Sequence, residues 1–179
     1  MSTVADINKL IRQFVRETLS MPPDSVRPAN QTAPTGKQSE QFATVLITLI
    51  DSTGEDERRV ANEAAPSLNV SETIVGPRRL VASIQFFRGD AYMRACRLNT
   101  LLSMSSAVDR LQAIGLGFVR ASPARNLTAV VDAGWEERAQ IDLEFYLVAR
   151  EVQSIPTYGT FPITVSTESS STSIEVTAP

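Results

Sequence analysis

Asp132-Ala-Gly-Trp-Glu-Glu-Arg-Ala-Gln-Ile-Asp-Leu-Glu-Phe-Tyr-Leu-Val-Ala-Arg150 is the stretch that decides the fold. From Ala139 the apolar residues Ala139, Ile141, Leu143, Phe145 and Leu147 alternate with Gln140, Asp142, Glu144 and Tyr146. A period of two predicts a strand with one buried face and one wet or partner-facing face. Gly134 reads as a bend or bulge ahead of it, and Pro156 and Gly159 mark its end. The only tryptophan, Trp135, stands at the strand's entrance, where such a residue anchors a core or an interface rim. A strand this regular is a structural beam and carries no reactive group.

Working outward, other elements fall into place around it. Near the N-terminus Ile7, Leu10, Ile11, Phe14, Val15 and Leu19 recur at helical spacing, with polar residues between them. Thr3-Val-Ala-Asp6 resembles a capping box at its start, and Met21-Pro22-Pro23 is expected to stop it near Ser20. Residues 22–41 hold almost no large apolar side chain except Val26 and read as an exposed loop or arm. Phe42 to Ile50 is apolar on both faces, which predicts a central strand. Arg58 to Ala64 reads as the start of a further strand, and Ala65 to Asn69 as a bend. Val70 to Val75 and Arg78 to Phe87 read as two strand segments, broken or bulged at Gly76-Pro77. The second carries its core face on Leu80, Ala82, Ile84 and Phe86. Gly89-Asp90 then opens a helix with Asp90 as N-cap and a stripe of Ala91, Ala95, Leu98 and Leu102. Ser106-x-x-Asp109 signals a second, shorter helix ended by Gly115. Leu116–Ala121 and Leu127–Ala133 complete the strands before the beam.

Strands in clusters with helices segregated between them predict an α+β domain, an antiparallel sheet with the helices packed on one face. The expected division is a domain over 1–155 and an extended or flexible C-terminal arm over 156–179. In that arm Phe161, Ile163, Val165, Ile174 and Val176 alternate as strands do, around a Ser/Thr-rich middle. An arm that pairs when a partner offers a sheet edge has this pattern, and so does a disordered tail.

The composition narrows the chemistry. With 17 basic and 20 acidic residues the chain has a net charge of −3, the opposite of a general nucleic-acid binder. No histidine is present, which removes Ser-His-Asp and Cys-His catalysis and the commonest metal ligand. One cysteine, Cys96, excludes an internal disulfide and fits a reducing compartment; a small buried hydrophobe is its expected role. No glycine-rich phosphate loop occurs, and no apolar run approaches the roughly 20 residues that cross a bilayer. Glu55, Asp56 and Glu57 could offer oxygen ligands to Mg²⁺ or Ca²⁺, but without a calcium-loop spacing, so a solvated turn is expected. No cofactor and no metal site is expected, and no membrane partner.

Two phrases resemble a known family. Glu72 to Phe87, with its continuation Ala82-Ser-Ile-Gln-Phe-Phe-Arg-Gly-Asp-Ala91, is similar to the strand-into-helix passage of tailed-bacteriophage neck and tail-terminator proteins. So is Val131-Asp-Ala-Gly-Trp-Glu-Glu-Arg-Ala-Gln-Ile-Asp-Leu-Glu-Phe145. With the N-terminal helix and the Phe42 strand, the resemblance runs from Ile7 to Glu151, leaving out the 22–41 loop and the chain beyond Pro156. It implies a non-enzymatic ring protein of the virion, usually a hexamer, assembled in the host cytoplasm. Such a ring ends the tail tube and joins it to the head connector, with genomic DNA passing through the lumen. Its partners would be copies of itself, tail tube or sheath protein, and head–tail connector proteins. The Ser/Thr-rich C-terminus departs from the family pattern, so a collar or adaptor ring clamping another neck protein stays open. A soluble binding module that never assembles is the alternative from a different class.

Within the ring picture, residue roles follow as expectations. Asp51, Glu55, Asp56 and Glu57 would line an acidic lumen that repels DNA and lets it slide. Trp135, Arg138, Asp142, Glu144 and Arg150 would meet the neighbouring subunit. The arm residues Phe161, Ile163, Val165, Ile174 and Val176 would grip a partner.

Overall fold

In the computed structural model the alternating stretch forms one strand, Arg138–Pro156, with Ala139, Ile141, Leu143 and Phe145 wholly buried. The structure describes residues 4–29, 41–63, 69–131, 134–156, 160–167 and 170–177. In chain order these form α1 (Val4–Thr18), β1 (Val26–Pro28), β2 (Phe42–Ser52), β3 (Glu57–Asn62) and β4 (Asn69–Phe87). Then come α2 (Ala91–Leu102), α3 (Ser105–Ala113), β5 (Gly117–Ala121), β6 (Arg125–Asn126), β7 (Ala129–Val131) and β8 (Gly134–Glu136). The beam is β9, followed by β10 (Thr160–Thr167) and β11 (Ser170–Thr177). The architecture is α+β: a mostly antiparallel sheet with three helices on one side.

The chain groups into two compact units, residues 1–55 with 76–149, and residues 56–75 with 150–179. In the first, the strand order is β1-β2-β4-β9-β5, with β6 also pairing β9. β2 runs antiparallel to β4 from Phe42 opposite Phe87 to Ser52 opposite Arg78, with one register shift between Ile47 and Leu49. The core lies between this sheet and the helices. Ala43 and Val45 of β2, Leu80 to Phe86 of β4 and the inner face of β9 meet Ile7, Ile11, Phe14 and Val15 of α1. Ala95, Leu98 and Leu102 of α2 and Leu111 of α3 close the layer. Each large apolar side chain buried this way contributes about 1.5–3 kcal/mol. In the second unit β3 pairs antiparallel with residues 70–75 of β4, and β10 with β11 from Thr160 opposite Thr177 to Thr167 opposite Ser170.

Several local expectations are corrected. Residues 69–87 form one continuous strand, without a break at Gly76-Pro77. The β2 pairing ends at Arg78 and the β3 pairing begins at Val75, so Pro77, which has no N–H, falls in the gap between two ladders. Val26 is no loop residue: β1 pairs in parallel with β2, Val26 opposite Ala43, and buries the valine. Residues 30–40 of the expected loop, the 64–68 bend and Thr3 of the capping box lie outside the described residues.

The helix ends also differ. α1 stops before the prolines. Met21 N–H donates to Arg16 O at 2.9 Å and Ser20 N–H to Glu17 O at 3.2 Å, while Ser20 turns left-handed at φ 53°. This double bond pattern satisfies the last carbonyls of the helix. α3 ends in the same way at Gly115, as expected, with Leu116 N–H on Leu111 O at 3.0 Å. Its start is displaced: the N-cap is Met104, and Ser106 lies inside the helix. Asp90 does sit at the N-cap of α2, but at φ 59° and without a side-chain capping bond.

Candidate functional site

On β9 the residues that alternate with the core positions look out on the sheet face opposite the helices. Register brings charges from four strands into one row there. Arg79 on β4 lies 3.7 Å from Asp51 on β2 and 3.7 Å from Glu144 on β9. The other oxygen of Glu144 accepts from Arg120 Nε on β5 at 2.6 Å. The row therefore alternates in sign: Asp51, Arg79, Glu144, Arg120. Glu144 is 9 % exposed, and a carboxylate so far from water requires these partners. Arg79 is held between two carboxylates at long distance, and its Nε is buried without a hydrogen-bond partner.

A second set sits beside the row. Asp142 accepts from Gln140 Nε2 at 2.9 Å and pairs with Arg125 at 3.4 Å, and Gln140 also donates to Ser83. Together with Arg79, Val81, Arg120 and Ser122, the two carboxylates Asp142 and Glu144 line a shallow depression of about 360 Å³. Asp142 and Glu144 thus share the face expected of them, each engaged within the chain.

Arg138, at the start of β9, donates to Glu136 at 2.9 Å and lies 5.3 Å above the Phe87 ring. Phe87 stacks on Phe42 at 4.5 Å, and Arg88 pairs with the same Glu136 at 3.4 Å. The turn into α2 is unusual: Arg88, Gly89 and Asp90 are all left-handed, at φ 60°, 49° and 59°. Non-glycine residues adopt this conformation at a cost of about 1–2 kcal/mol each. Neighbours hold the turn in place. Glu137 accepts Arg88 N–H on its carbonyl and Asp90 N–H on its carboxylate, both at 2.8 Å. Arg94 donates to the carbonyls of Phe87 and Arg88. Burial lowers the Arg94 pKa, against the opposing charges of Asp90 and Glu137.

Trp135 does not lie on the beam. β8 turns back on β7 as a separate two-stranded ribbon, Val130 opposite Trp135. Trp135 is 79 % exposed and Val130 60 %, an apolar pair presented to solvent. The acidic residues Asp51, Glu55, Asp56 and Glu57 are all exposed. Within that segment Glu57 is bidentate with Arg59 at 2.7 and 2.8 Å, and this hydrogen bonding lowers its pKa. Arg150, in the second unit, is exposed. Of the arm residues, Phe161 pairs with Val176 and Ile163 with Ile174 across the β10–β11 register, and Val165 pairs with Thr172. Cys96 is unpaired and half-buried on α2. Among the described residues no group of three or more His, Cys, Asp or Glu could hold a metal ion, and no helix is long and apolar enough to cross a membrane.

This constellation is one of faces, edges and ion pairs. A family model for the phage neck terminator protein matches residues 5–169. The chain belongs to this family. It is accordingly a structural phage neck protein, which places it in the virion. No curated protein matches the chain. The match runs past Glu151, where the resemblance read from the sequence ends, and takes in β10.

The carboxylates of β9 are legible in the sequence as one strand face; the arginines that hold them are not. Arg79 and Arg120 carry a legible signal only in part: alternation puts Arg79 on the face opposite Leu80, while the partner across the sheet depends on register.

Proposed function

We propose that this chain forms a homo-oligomeric ring, a hexamer, at the phage neck, where it ends the tail tube and joins it to the head connector. The family match over residues 5–169 carries the proposal. The fold is suited to it. A ring needs head-to-tail contacts between two different patches of the same chain, and the five-strand order leaves β1 and β5 as edges. The ring works by shape, without catalysis or cofactor, and assembles in the host cytoplasm. Tail tube or sheath protein lies on one side and connector proteins on the other.

Genomic DNA passes through the lumen without sequence-specific binding. Asp51, Glu55, Asp56 and Glu57 face it and repel its phosphates. Arg138, Asp142, Glu144 and Arg150 belong to the subunit interface with Trp135, and the 156–179 arm, with Phe161, Ile163, Val165, Ile174 and Val176, grips a neighbouring neck component. Imaging of particles from a phage lacking this chain tests the role. Over-long tails are the expected result; tails of normal length left unattached to heads would replace termination by a purely joining role. Converting Glu55, Asp56 and Glu57 to Lys should impair DNA delivery with assembly intact, and unchanged infectivity would remove the lumen assignment.

A further inference from the structure

The end of β4 and the start of α2 meet the base of the β7–β8 ribbon at one junction. Arg88 N–H donates to the Glu137 carbonyl and Asp90 N–H to the Glu137 carboxylate, both at 2.8 Å. The Arg88 guanidinium pairs with Glu136 at 3.4 Å. Arg138, which shares Glu136, lies 5.3 Å above the Phe87 ring. The ribbon itself is three residue pairs long. A two-stranded ribbon of that kind is marginal in water on its own, so its anchor decides where it stands. Leu127 N–H donates to Arg138 O at 2.8 Å and closes the ribbon's base onto the same junction.

The turn on the other side is held against its own preference. Arg88 and Asp90 carry side chains yet sit at φ 60° and 59°, with Gly89 at 49° between them. A residue with a Cβ keeps a left-handed backbone only where its neighbours over-determine it. Asp90 gains no local compensation, because its side chain makes no capping bond to α2. Beneath the turn, one Arg94 nitrogen serves the carbonyls of Phe87 and Arg88, while Nε and Nη1 are buried without hydrogen-bond partners. The carboxylates whose charge acts on Arg94 are Asp90 and Glu137. Glu137 therefore bonds the turn twice and balances the buried cation under it.

We propose that Arg88-Gly89-Asp90 is a sprung catch that Glu137 holds shut, and that its release frees the β7–β8 ribbon together with Trp135. In the released setting Arg88 and Asp90 leave the left-handed region, and the two Glu137 bonds and the Arg88–Glu136 pair part together. Glu137 is a positioning residue: it acts on Trp135 through the turn. The coupling is reciprocal, so a contact that favours one setting of the ribbon favours the matching setting of the α2 entrance. The catch belongs to the single chain and stands whether or not a ring forms.

The test uses the full chain at concentrations where it is monomeric. Nuclear magnetic relaxation dispersion detects a minor state on the microsecond-to-millisecond scale. It is read at the Arg88 amide, at the amide of buried Leu143 and at the indole N–H of Trp135, the only tryptophan. Glu137→Ala removes the bond to Asp90 but leaves the carbonyl that Arg88 uses, and Glu137 is exposed, so no core position is emptied. The variant should raise the released population about fivefold or more, the effect of one lost hydrogen bond to a charged acceptor at a solvent-facing site. Arg88 and Trp135 should report one population and one exchange rate, with Leu143 unchanged. Asp90→Gly keeps the N–H and removes the Cβ from the left-handed position. In the otherwise native chain it should slow hydrogen exchange of the Arg88 amide roughly threefold. Dispersion at neither site in Glu137→Ala, or at Arg88 without Trp135, overturns the catch. Faster Arg88 exchange in Asp90→Gly overturns it as well, independently of how Glu137→Ala folds.

Discussion

Glu144→Gln removes the charge at the centre of the four-strand row while keeping its shape. The cost can be bracketed. Breaking a fully buried pair by removing one partner costs about 3–5 kcal/mol, and an exposed pair is worth roughly 0–1. Here the Glu144 side chain is 11 % exposed, but that of Arg120 is 73 % exposed and regains water at once. Arg79 is intermediate at 35 %, and it keeps its ion pair with Asp51. The expected loss is therefore between the limits, about 1.5–2 kcal/mol. For a chain of this size that corresponds to a fall in melting temperature of roughly 3–8 °C. Asp51→Asn, at the exposed end of the same row, should cost less than about 0.5 kcal/mol. Urea denaturation followed by far-ultraviolet circular dichroism, at concentrations where the chain is monomeric, reads both. A Glu144→Gln loss below about 0.5 kcal/mol, or equal losses for the two variants, would show that the row is no more than a surface ion network.

Three further outcomes are expected. Gly115→Ala adds a Cβ that meets nothing within 4 Å, so its whole effect comes from φ +80°. It should destabilise by about 1 kcal/mol, whereas Gly117→Ala, with no positive φ, should not; equal melting curves would refute the strain. Ser20→Gly relieves the left-handed turn that ends α1 and should stabilise by roughly 0.5 kcal/mol once the extra freedom of the unfolded glycine is subtracted; a lower denaturation midpoint would count against it. The Glu17 carboxyl is held below its ordinary range, first by the Gln13 hydrogen bond and then by the Arg110 charge, against desolvation. A depressed folded pKa contributes stability above the unfolded value of about 4.3 and loses it as the pH falls through the folded value. Gln13→Ala should raise the Glu17 titration midpoint in carboxyl-detected magnetic resonance, and an unmoved midpoint would sink the assignment.

The sequence alone determined what depends on neighbours along the chain. The period of two in Ala139–Leu147 gave β9 and its buried face, because successive side chains of a strand point to opposite sides. The helical spacing of Ile7 to Val15 gave α1, the stripe from Ala91 to Leu102 gave α2, and Gly115 ended α3. With the segregation of strands and helices, these were enough for the α+β class. The two phrases at 82–91 and 131–145 pointed to the neck-protein family that the chain belongs to.

The tertiary structure decided what depends on distant partners. Pro77 passes as a strand residue because two ladders, to β2 and to β3, leave a gap opposite it. Val26 became a strand because β2 offered an edge. The left-handed turn at 88–90 stands because Glu137 and Arg94, distant in sequence from it or across the turn, take up its backbone groups. Trp135 was displaced from the beam onto a ribbon of its own, which turned a strand residue into an exposed knob. Arg79 and Arg120 met Glu144 through register alone. Alternation fixes which face a residue takes, but the residue beside it on that face is set by how strands slide against one another, and that is a property of the whole sheet.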